Sequence, residues 1–258
     1  MRFRLTCLAL GLLPLAAAVG AQPSGLSITG GYAVSAFDGD RLAELGETYS
    51  DFYVARLDGP VELLPTGSEA FSVGATARID AGGMAAAFGV QLGRDAFDVT
   101  TRFENGSGDH VTTETSDLAA WTELTLPVGP LAVGGHAGGL FREVRIESAT
   151  VYADGSESLG SEFRLNGVYT ASATSLEVGP VVALQLGSRI LVPLRVLFPF
   201  EIASVGLPLT DNDTFQGNDT FPRDFDRFVA DDFGTDDEAA VSDRDFVGRR
   251  IVVGVEIR

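Results

Sequence analysis

The amino-acid sequence predicts an all-β protein: an antiparallel up-and-down transmembrane β-barrel of eight strands, with long outer loops and short periplasmic turns. Three observations lead to this prediction. The chain begins with a segment typical of exported proteins. Apolar residues then recur at every second position over long segments. Short and long connections between these segments alternate strictly, as in outer-membrane barrels.

Residues 1–21, MRFRLTCLALGLLPLAAAVGA, have the pattern of a cleaved secretory signal peptide. Two Arg residues precede an apolar run from about Leu5 to Ala18, and small residues follow at the expected cleavage site. The run is too short for a membrane-spanning helix. We therefore expect one mature domain at 22–258, without disulfides because Cys7 is the only cysteine.

The period-two segments are the main evidence for strands. In the last one, RIVVGVEIR, one face carries Ile251, Val253, Val255 and Ile257, and the other face is small or polar. Four further segments, at 25–37, 70–79, 84–92 and 190–201, show the same pattern. We predict strands at 25–37, 70–80, 84–103, 118–126, 131–153, 161–186, 189–203 and 246–258.

The connections support an up-and-down order. Asp-Ala-Gly-Gly at 80–83, Pro-Val-Gly-Pro at 127–130 and Gly-Ser at 187–188 are typical of hairpin turns. The other connections are long and polar, and the first of them, 38–69, contains either a short helix near Arg41 to Leu45 or an extra hairpin. Residues 148–165 are predicted to form a hairpin that projects beyond the apolar band.

A soluble exported sandwich would also bury one apolar face of each sheet. The predicted strands are longer than the mode of about 5–6 residues for soluble strands, and they reach the 9–11 residues or so that a strand needs to cross a bilayer. Together with the leader and the loop alternation, this length favours the membrane barrel.

Several segments resemble the small eight-stranded outer-membrane β-barrel domains of the OmpA, OmpX and OmpW kind, which also occur in many Bacteroidota-type bacteria. These segments are TELTLPVGPLAVGGHAGGLF, LEVGPVVALQLGSRILVPLRVLFPF and VGRRIVVGVEIR, and the resemblance covers nearly all of residues 24–258. It implies an outer-membrane location with both termini in the periplasm. Unlike many such barrels, the chain ends in Glu256-Ile257-Arg258 and not in an aromatic residue.

The charge is strongly negative. The 18 basic residues are all Arg and face 36 acidic residues, so the formal net charge is −18. Such a surface disfavours nucleic acid and anionic lipid surfaces as partners, since both attract basic patches. Solubility in high salt and capture of cations both remain as explanations of the excess.

The interior of an eight-stranded barrel is narrow enough to be filled by side chains. Charges of both signs there need partners, so we expect salt bridges that close the lumen, and open-channel conduction is the alternative. The direction of Trp121 stays open. The predicted inward polar residues are Arg78, Gln91, Glu123, His136, Glu177, Gln185, Arg195, Arg250 and Glu256.

We expect no catalytic, cofactor-binding or metal site. His110 is predicted to lie in the second loop near Ser107, Asp109 and Ser116, where a hydrolase would need a Ser and an orienting carboxylate within reach. The segment DNDTFQGND fails the EF-hand pattern, because Phe215 stands at position 5 and Pro222 at position 12.

The last long loop combines acidic residues with regularly recurring Phe, which predicts a loop that folds over the barrel mouth or grips a partner. We expect a structural or surface-interaction function through loops 38–69 and 204–245, with loosely bound divalent cations. The alternatives are a narrow conduit for small solutes or hydrophobic compounds, and a lipid-modifying enzyme at the rim. The loop residues concerned are Asp211, Asp213, Phe215, Asp219, Phe221, Phe225, Phe228 and Phe233.

Overall fold

A computed structural model describes residues 25–37, 39–53, 57, 61–81, 83–158, 166–201, 210–211, 241 and 243–257. Within these ranges the chain forms eight long strands, one helix, two two-residue strands (Glu157–Ser158 and Thr210–Asp211) and a 3-10 turn (Asp243–Phe246). The helix α1 spans Gly39–Phe52. The long strands are β1 Gly25–Ala36, β2 Gly67–Ala81, β3 Met84–Thr100, β4 Gly108–Val128, β5 Leu131–Val151, β6 Gly167–Leu186, β7 Ile190–Glu201 and β8 Arg250–Ile257.

The eight long strands close into a ring. Each pairs antiparallel with the strands before and after it, and β8 pairs with β1 from Ile257 opposite Ile28 to Arg250 opposite Ser35. Paired residues followed once around the ring from Gly25 lead back to β1 at Ser35, ten positions further on. Such a stagger corresponds to strands tilted by roughly 40°. The predicted eight-stranded up-and-down barrel is confirmed.

The three predicted tight turns lie together at one end of the ring, which we call the turn end. Each contains a glycine with positive φ: Gly83 at 94°, Gly129 at 63° and Gly187 at 68°. Residues with a Cβ rarely adopt this backbone conformation, and hairpin turns of this kind require it. Short turns therefore join β2 to β3, β4 to β5 and β6 to β7.

A continuous apolar belt surrounds the turn-end half of the barrel. Its side chains point away from the lumen, as the period-two pattern predicts, and Leu26 and Phe71 are 75% and 73% exposed. On β4 the belt runs from Leu118 to Val128, a height of about 25 Å for a strand at this tilt. Other members are Ile28, Val73, Val90, Leu92, Leu124, Val133, Val182, Leu194, Phe198, Ile251, Val253, Val255 and Ile257.

Strands β3 to β6 continue past the belt and form what we call the wall, residues 94–100, 108–117, 142–151 and 167–174. The predicted start of the fourth strand at 118 is wrong, because β4 begins at Gly108. Thr112, Thr113 and Thr115 make both faces of this stretch polar, so no apolar alternation marks it. Threonine nevertheless favours strands, and residues 108–117 pair with β5 throughout.

The first long connection contains α1, so the structure selects the helix over the hairpin. Leu42, Leu45 and Tyr49 follow helical spacing and are fully buried against the inner face of the wall. We call α1, residues 61–66 and the 3-10 turn the cap. Its core with the wall contains Leu63, Leu64, Phe246, Val111, Val144, Ile146 and Tyr169. No helix in the described ranges is long and apolar enough to cross a membrane.

The environment of the two strand faces reverses at the upper edge of the belt. Within the belt, β5 turns Val133 outward and His136 inward. In the wall, the same strand turns Glu143 outward and Val144 inward, into the cap core. The lower half of the barrel is therefore apolar outside and polar inside, and the upper half has the arrangement of a soluble protein.

Replacing Leu45 with Ala should loosen the cap but leave the ring intact. Deleting a buried Leu side chain costs about 2–5 kcal/mol, so amides of α1 should exchange faster with solvent while amides of the belt strands keep their protection. Hydrogen exchange by mass spectrometry measures both. Glu47→Ala, on the exposed face of α1, is the control, with an expected change within about 0.5 kcal/mol. Equal loosening by the two variants would contradict the packing described.

Candidate functional site

The lumen contains a network of buried charges near the turn end, formed by Arg78, Glu123, His136, Arg195 and Glu256. Arg195 donates a hydrogen bond from Nε to Glu123 Oε1, and its Nη2 lies 3.6 Å from Glu256 Oε1. Arg78 Nη2 lies 3.1 Å from Glu256 Oε2, and His136 Nδ1 lies 3.1 Å from Glu123 Oε1. This turn-end network links β2, β4, β5, β7 and β8 across the barrel.

A second network lies closer to the cap and consists of Asp117, Arg142, Glu177 and Arg250. Arg142 grips Asp117 with two hydrogen bonds, of 2.7 and 2.8 Å. Arg250 Nη1 lies 2.9 Å from Glu177 Oε2, and its Nη2 lies 3.7 Å from Asp117 Oδ2. Arg142 also donates to the carbonyl of Phe246 at 2.8 Å, so this cap-side network ties the lumen to the cap.

Each network contains two Arg and two carboxylates, so the Arg and carboxylate charges cancel. The carboxylates are Glu123 and Glu256 in the turn-end network, and Asp117 and Glu177 in the cap-side network. All eight charged side chains are at most 8% exposed. An unpaired charge in such a place would carry a large desolvation cost. The ion pairs therefore occupy the cross-section of the lumen and hold one another in place.

Trp121 points into the lumen and is 4% exposed. Its ring lies under the Arg195 guanidinium, whose carbon is 4.6 Å from the ring centroid, and 5.7 Å from the His136 ring. Room for the indole comes from Gly89 and Gly138, its partners on both neighbouring strands. A Cβ at Gly89 would lie 2.2 Å from the indole, and one at Gly138 would lie 2.7 Å from the Trp121 Cβ.

The nine residues predicted to face inward are not all in the networks. Gln91 faces the lumen and donates a hydrogen bond to Ser72. Gln185 is exposed beside the β6–β7 turn, where its amide donates to the Gly187 carbonyl at 3.1 Å. Placing Gln185 in a lumen network is therefore wrong, because the barrel opens to solvent at the turns. The other seven are buried in the two networks: Arg78, Glu123, His136, Glu177, Arg195, Arg250 and Glu256.

The sequence prediction missed Asp117 and Arg142, the most tightly paired charges of the cap-side network. Asp117 fell in the loop that the shortened fourth strand implied. Arg142 could have been predicted from the sequence, because it is an even number of residues from His136 and so lies on the same inward face of β5. Extending the alternation through FREVRIES would have identified it.

Beneath the cap lies a polar cluster formed by Tyr49, Asp109 and Thr101. Tyr49 of α1 donates a hydrogen bond to Asp109 Oδ2, and Tyr49 Oη lies 3.2 Å from Thr101 Oγ1. The backbone N–H of Asp109 donates to Thr101 Oγ1 at 2.8 Å. Burial raises the pKa of the Asp109 carboxyl above its usual range, although the hydrogen bond from Tyr49 opposes part of that shift. Burial and the nearby carboxylate likewise raise the pKa of Tyr49.

His110 lies on the outer face of β4, not in a loop. Its Nδ1 is 2.9 Å from Glu157 Oε1, and its Nε2 is 3.9 Å from Asp98 Oδ1. Asp109 faces the opposite side of the strand, and Ser107 bonds to Asn105. The alternation of β4 thus places His110 and Asp109 on opposite faces, and no described Ser is hydrogen-bonded to His110.

The outer face of the wall carries a lattice of exposed ion pairs directly above the belt. Arg94 lies 2.8 Å from Glu114, and Arg145 lies 2.9 Å from Glu147 and 4.0 Å from Glu114. Thr112 donates to Asp98 at 2.6 Å. Side chains of β3, β4 and β5 therefore form one polar surface that ends where the apolar belt begins.

Most of the predicted acidic and aromatic loop falls outside the described residues: Asp213, Phe215, Asp219, Phe221, Phe225, Phe228 and Phe233. Asp211 is placed by its backbone, in the short strand that pairs with Tyr169 and Thr170. Among the residues that the structure describes, no group of three or more His, Cys, Asp or Glu is arranged to hold a metal ion.

Comparison with known proteins finds similarity in structure but not in sequence. No protein-family model and no curated protein matches the sequence. The fold is similar to the crystal structure of Ail, the attachment invasion locus protein of Yersinia pestis, in complex with the heparin analogue sucrose octasulfate. The TM-score is 0.41 at 10% identity, with 90% of this chain and 96% of that chain covered. The barrel assignment rests on the strand pairing itself.

Replacing Glu123 with Gln should destabilise the barrel strongly. Arg195 and His136 would lose the carboxylate that both contact, and breaking a buried pair in this way costs about 3–5 kcal/mol. Glu114→Gln makes the same change on the exposed wall lattice, where about 0–1 kcal/mol is expected. Denaturant unfolding of the protein in detergent micelles compares the two, and similar losses would refute a stabilising role for the buried network.

Replacing Gly89 with Ala should displace the Trp121 ring. The added Cβ meets the indole far inside contact distance, and overpacking of this kind costs about 1–3 kcal/mol. Trp121 is the only tryptophan, so intrinsic fluorescence reports on it directly. Gly135→Ala is the control, because a Cβ there meets nothing within 4 Å. An unchanged emission spectrum in Gly89→Ala would contradict the placement of the ring.

Proposed function

We propose that this protein is a non-conducting outer-membrane barrel, exported through a signal peptide at residues 1–21, whose wall and cap form a surface for interactions outside the cell. The observation that carries the proposal is the reversal of polarity along the strands. An apolar belt about 25 Å tall around a charged interior suits a barrel surrounded by lipid. A sandwich would need a second sheet to cover that belt.

The orientation follows from the loops and turns. In outer-membrane barrels short turns face the periplasm and long loops face outward. The turn end then lies in the periplasm, and the wall rises on the order of 25 Å above the lipid. This assignment places the protein with the small eight-stranded outer-membrane barrels that its sequence resembles.

The wall lattice supports the interaction role. It presents alternating Arg and acidic side chains on a rigid three-stranded surface, and charge patterns of this kind select partners and speed association. The acidic excess favours partners with positive charge, and loosely bound divalent cations are expected among the carboxylates. Residues 38–69 and 204–245 would add to this surface.

A conduit for solutes is disfavoured by the lumen. A passing solute would have to separate buried ion pairs that reach across the lumen. A lipid-modifying enzyme at the rim is disfavoured because His110 contacts carboxylates and no described Ser.

Electrophoresis and conductance together test the proposal. The folded protein should migrate differently before and after boiling, and it should stay with the membrane after carbonate extraction. In planar lipid bilayers we expect no steady open level. Carbonate release with identical migration would overturn the membrane barrel, whereas a steady conductance of nanosiemens size would overturn only the closed lumen.

A further inference from the structure

Beside the apolar core that holds the cap to the wall lies a buried, hydrogen-bonded acid, Asp109. The core includes Tyr49 of α1, Tyr53 directly after it, Phe103, and Val111 and Ile146 of the wall, and Tyr49 also contacts Asp109. Asp109 is 2% exposed. Its position on the inner face of β4 is set by the alternation that also places Val111 in the core.

The partners of this carboxyl group are all uncharged. Oδ2 accepts from the Tyr49 hydroxyl, and Oδ1 is buried without a hydrogen-bond partner. The groups near it are Tyr49 of α1, Thr101 from the segment after β3, and Thr150 opposite it on β5. The Tyr53 ring, directly after α1, packs against the Tyr49 ring. No described Arg or His makes an ion pair with Asp109. The ionised form is therefore buried with the Tyr49 hydrogen bond but without a positive charge beside it, whereas the protonated form costs much less to bury.

We propose that Tyr49 and Asp109 form a proton-dependent latch, which holds α1 on the wall while Asp109 is protonated and weakens when Asp109 ionises. The proposal goes beyond the function above, because it concerns how firmly the lumen is covered and not what the outer surface binds. Acidification of the surroundings would tighten the cap, and neutral or alkaline conditions would loosen it.

The direction follows from linkage. The closed cap raises the pKa of Asp109, whereas the open cap exposes the carboxyl group to water and returns it to its ordinary pKa. A group with a raised pKa in the closed state stabilises that state fully below the open-state pKa, and this stabilisation is lost as the pH rises through the closed-state pKa. Between the open-state pKa and the closed-state pKa of Asp109, the equilibrium constant for the opening of α1 should increase about tenfold for each pH unit.

Hydrogen exchange of the full-length protein in detergent micelles tests the latch. The readout is the opening equilibrium of α1 from pH 4.5 to 8, corrected for intrinsic exchange and referred to a belt peptide covering residues 118–128. In the wild type we expect the rise stated above, followed by a plateau. In Asp109→Asn we expect no pH dependence, because Asn cannot ionise but still accepts the hydrogen bond from Tyr49.

Two further variants sharpen the result. Tyr49→Phe removes the hydrogen bond that favours the ionised form, so the rise should continue to higher pH than in the wild type. Asp154→Asn changes an exposed carboxyl group in the turn after β5, bonded there to Ser156, and should keep the wild-type profile. A flat wild-type profile, or a rise that persists in Asp109→Asn, would overturn the proposal. If Asp109→Asn fails to fold, the wild-type profile and the shift in Tyr49→Phe decide the question.

Discussion

Closure of the ring through the pairing of β8 with β1 is the constraint on which the rest of the structure depends. Once every strand has a neighbour on both sides, the backbone N–H and C=O groups of the belt form hydrogen bonds with the neighbouring strands, and no sheet edge is left unpaired. The pleat then sends each side chain either to the lumen or to the outside. A slip of one residue on β7 would turn Arg195 toward lipid and Leu194 into the lumen, so the ring also fixes the register.

A closed ring of eight strands leaves space inside only for side chains, and this explains why the charged groups of the lumen are paired with one another. Buried charges cannot remain alone there, so each Arg meets a carboxylate, often from a distant part of the chain: Arg195 of β7 reaches Glu123 of β4 and Glu256 of β8. Such pairs need not add much stability beyond an apolar filling. Their geometry fills the cross-section of the lumen, and it disfavours any strand register that would separate the partners.

The reversal of polarity at the belt edge divides the barrel into two physical environments. Below it the outer face is apolar, as a lipid environment would require, and the polar groups are inside. Above it the outer face is charged and exposed to solvent, and the inner face is apolar and packs against α1. The cap packs on the part of the strands that extends past the belt, and it buries the carboxyl group of Asp109 beneath Tyr49.

The sequence by itself determined the strands of the belt, their two faces and the glycine turns, because these depend on local periodicity and on single residues such as Gly129. Tertiary structure decided the rest. The alternation along one strand shows which residues share a face, but it does not show which residues of the other strands lie opposite them. The pairing of Asp117 with Arg142 and the inward direction of Trp121 therefore depend on the register between β4 and β5. The Thr-rich start of β4 carries no apolar pattern, and only pairing with β5 and packing under α1 make it a strand.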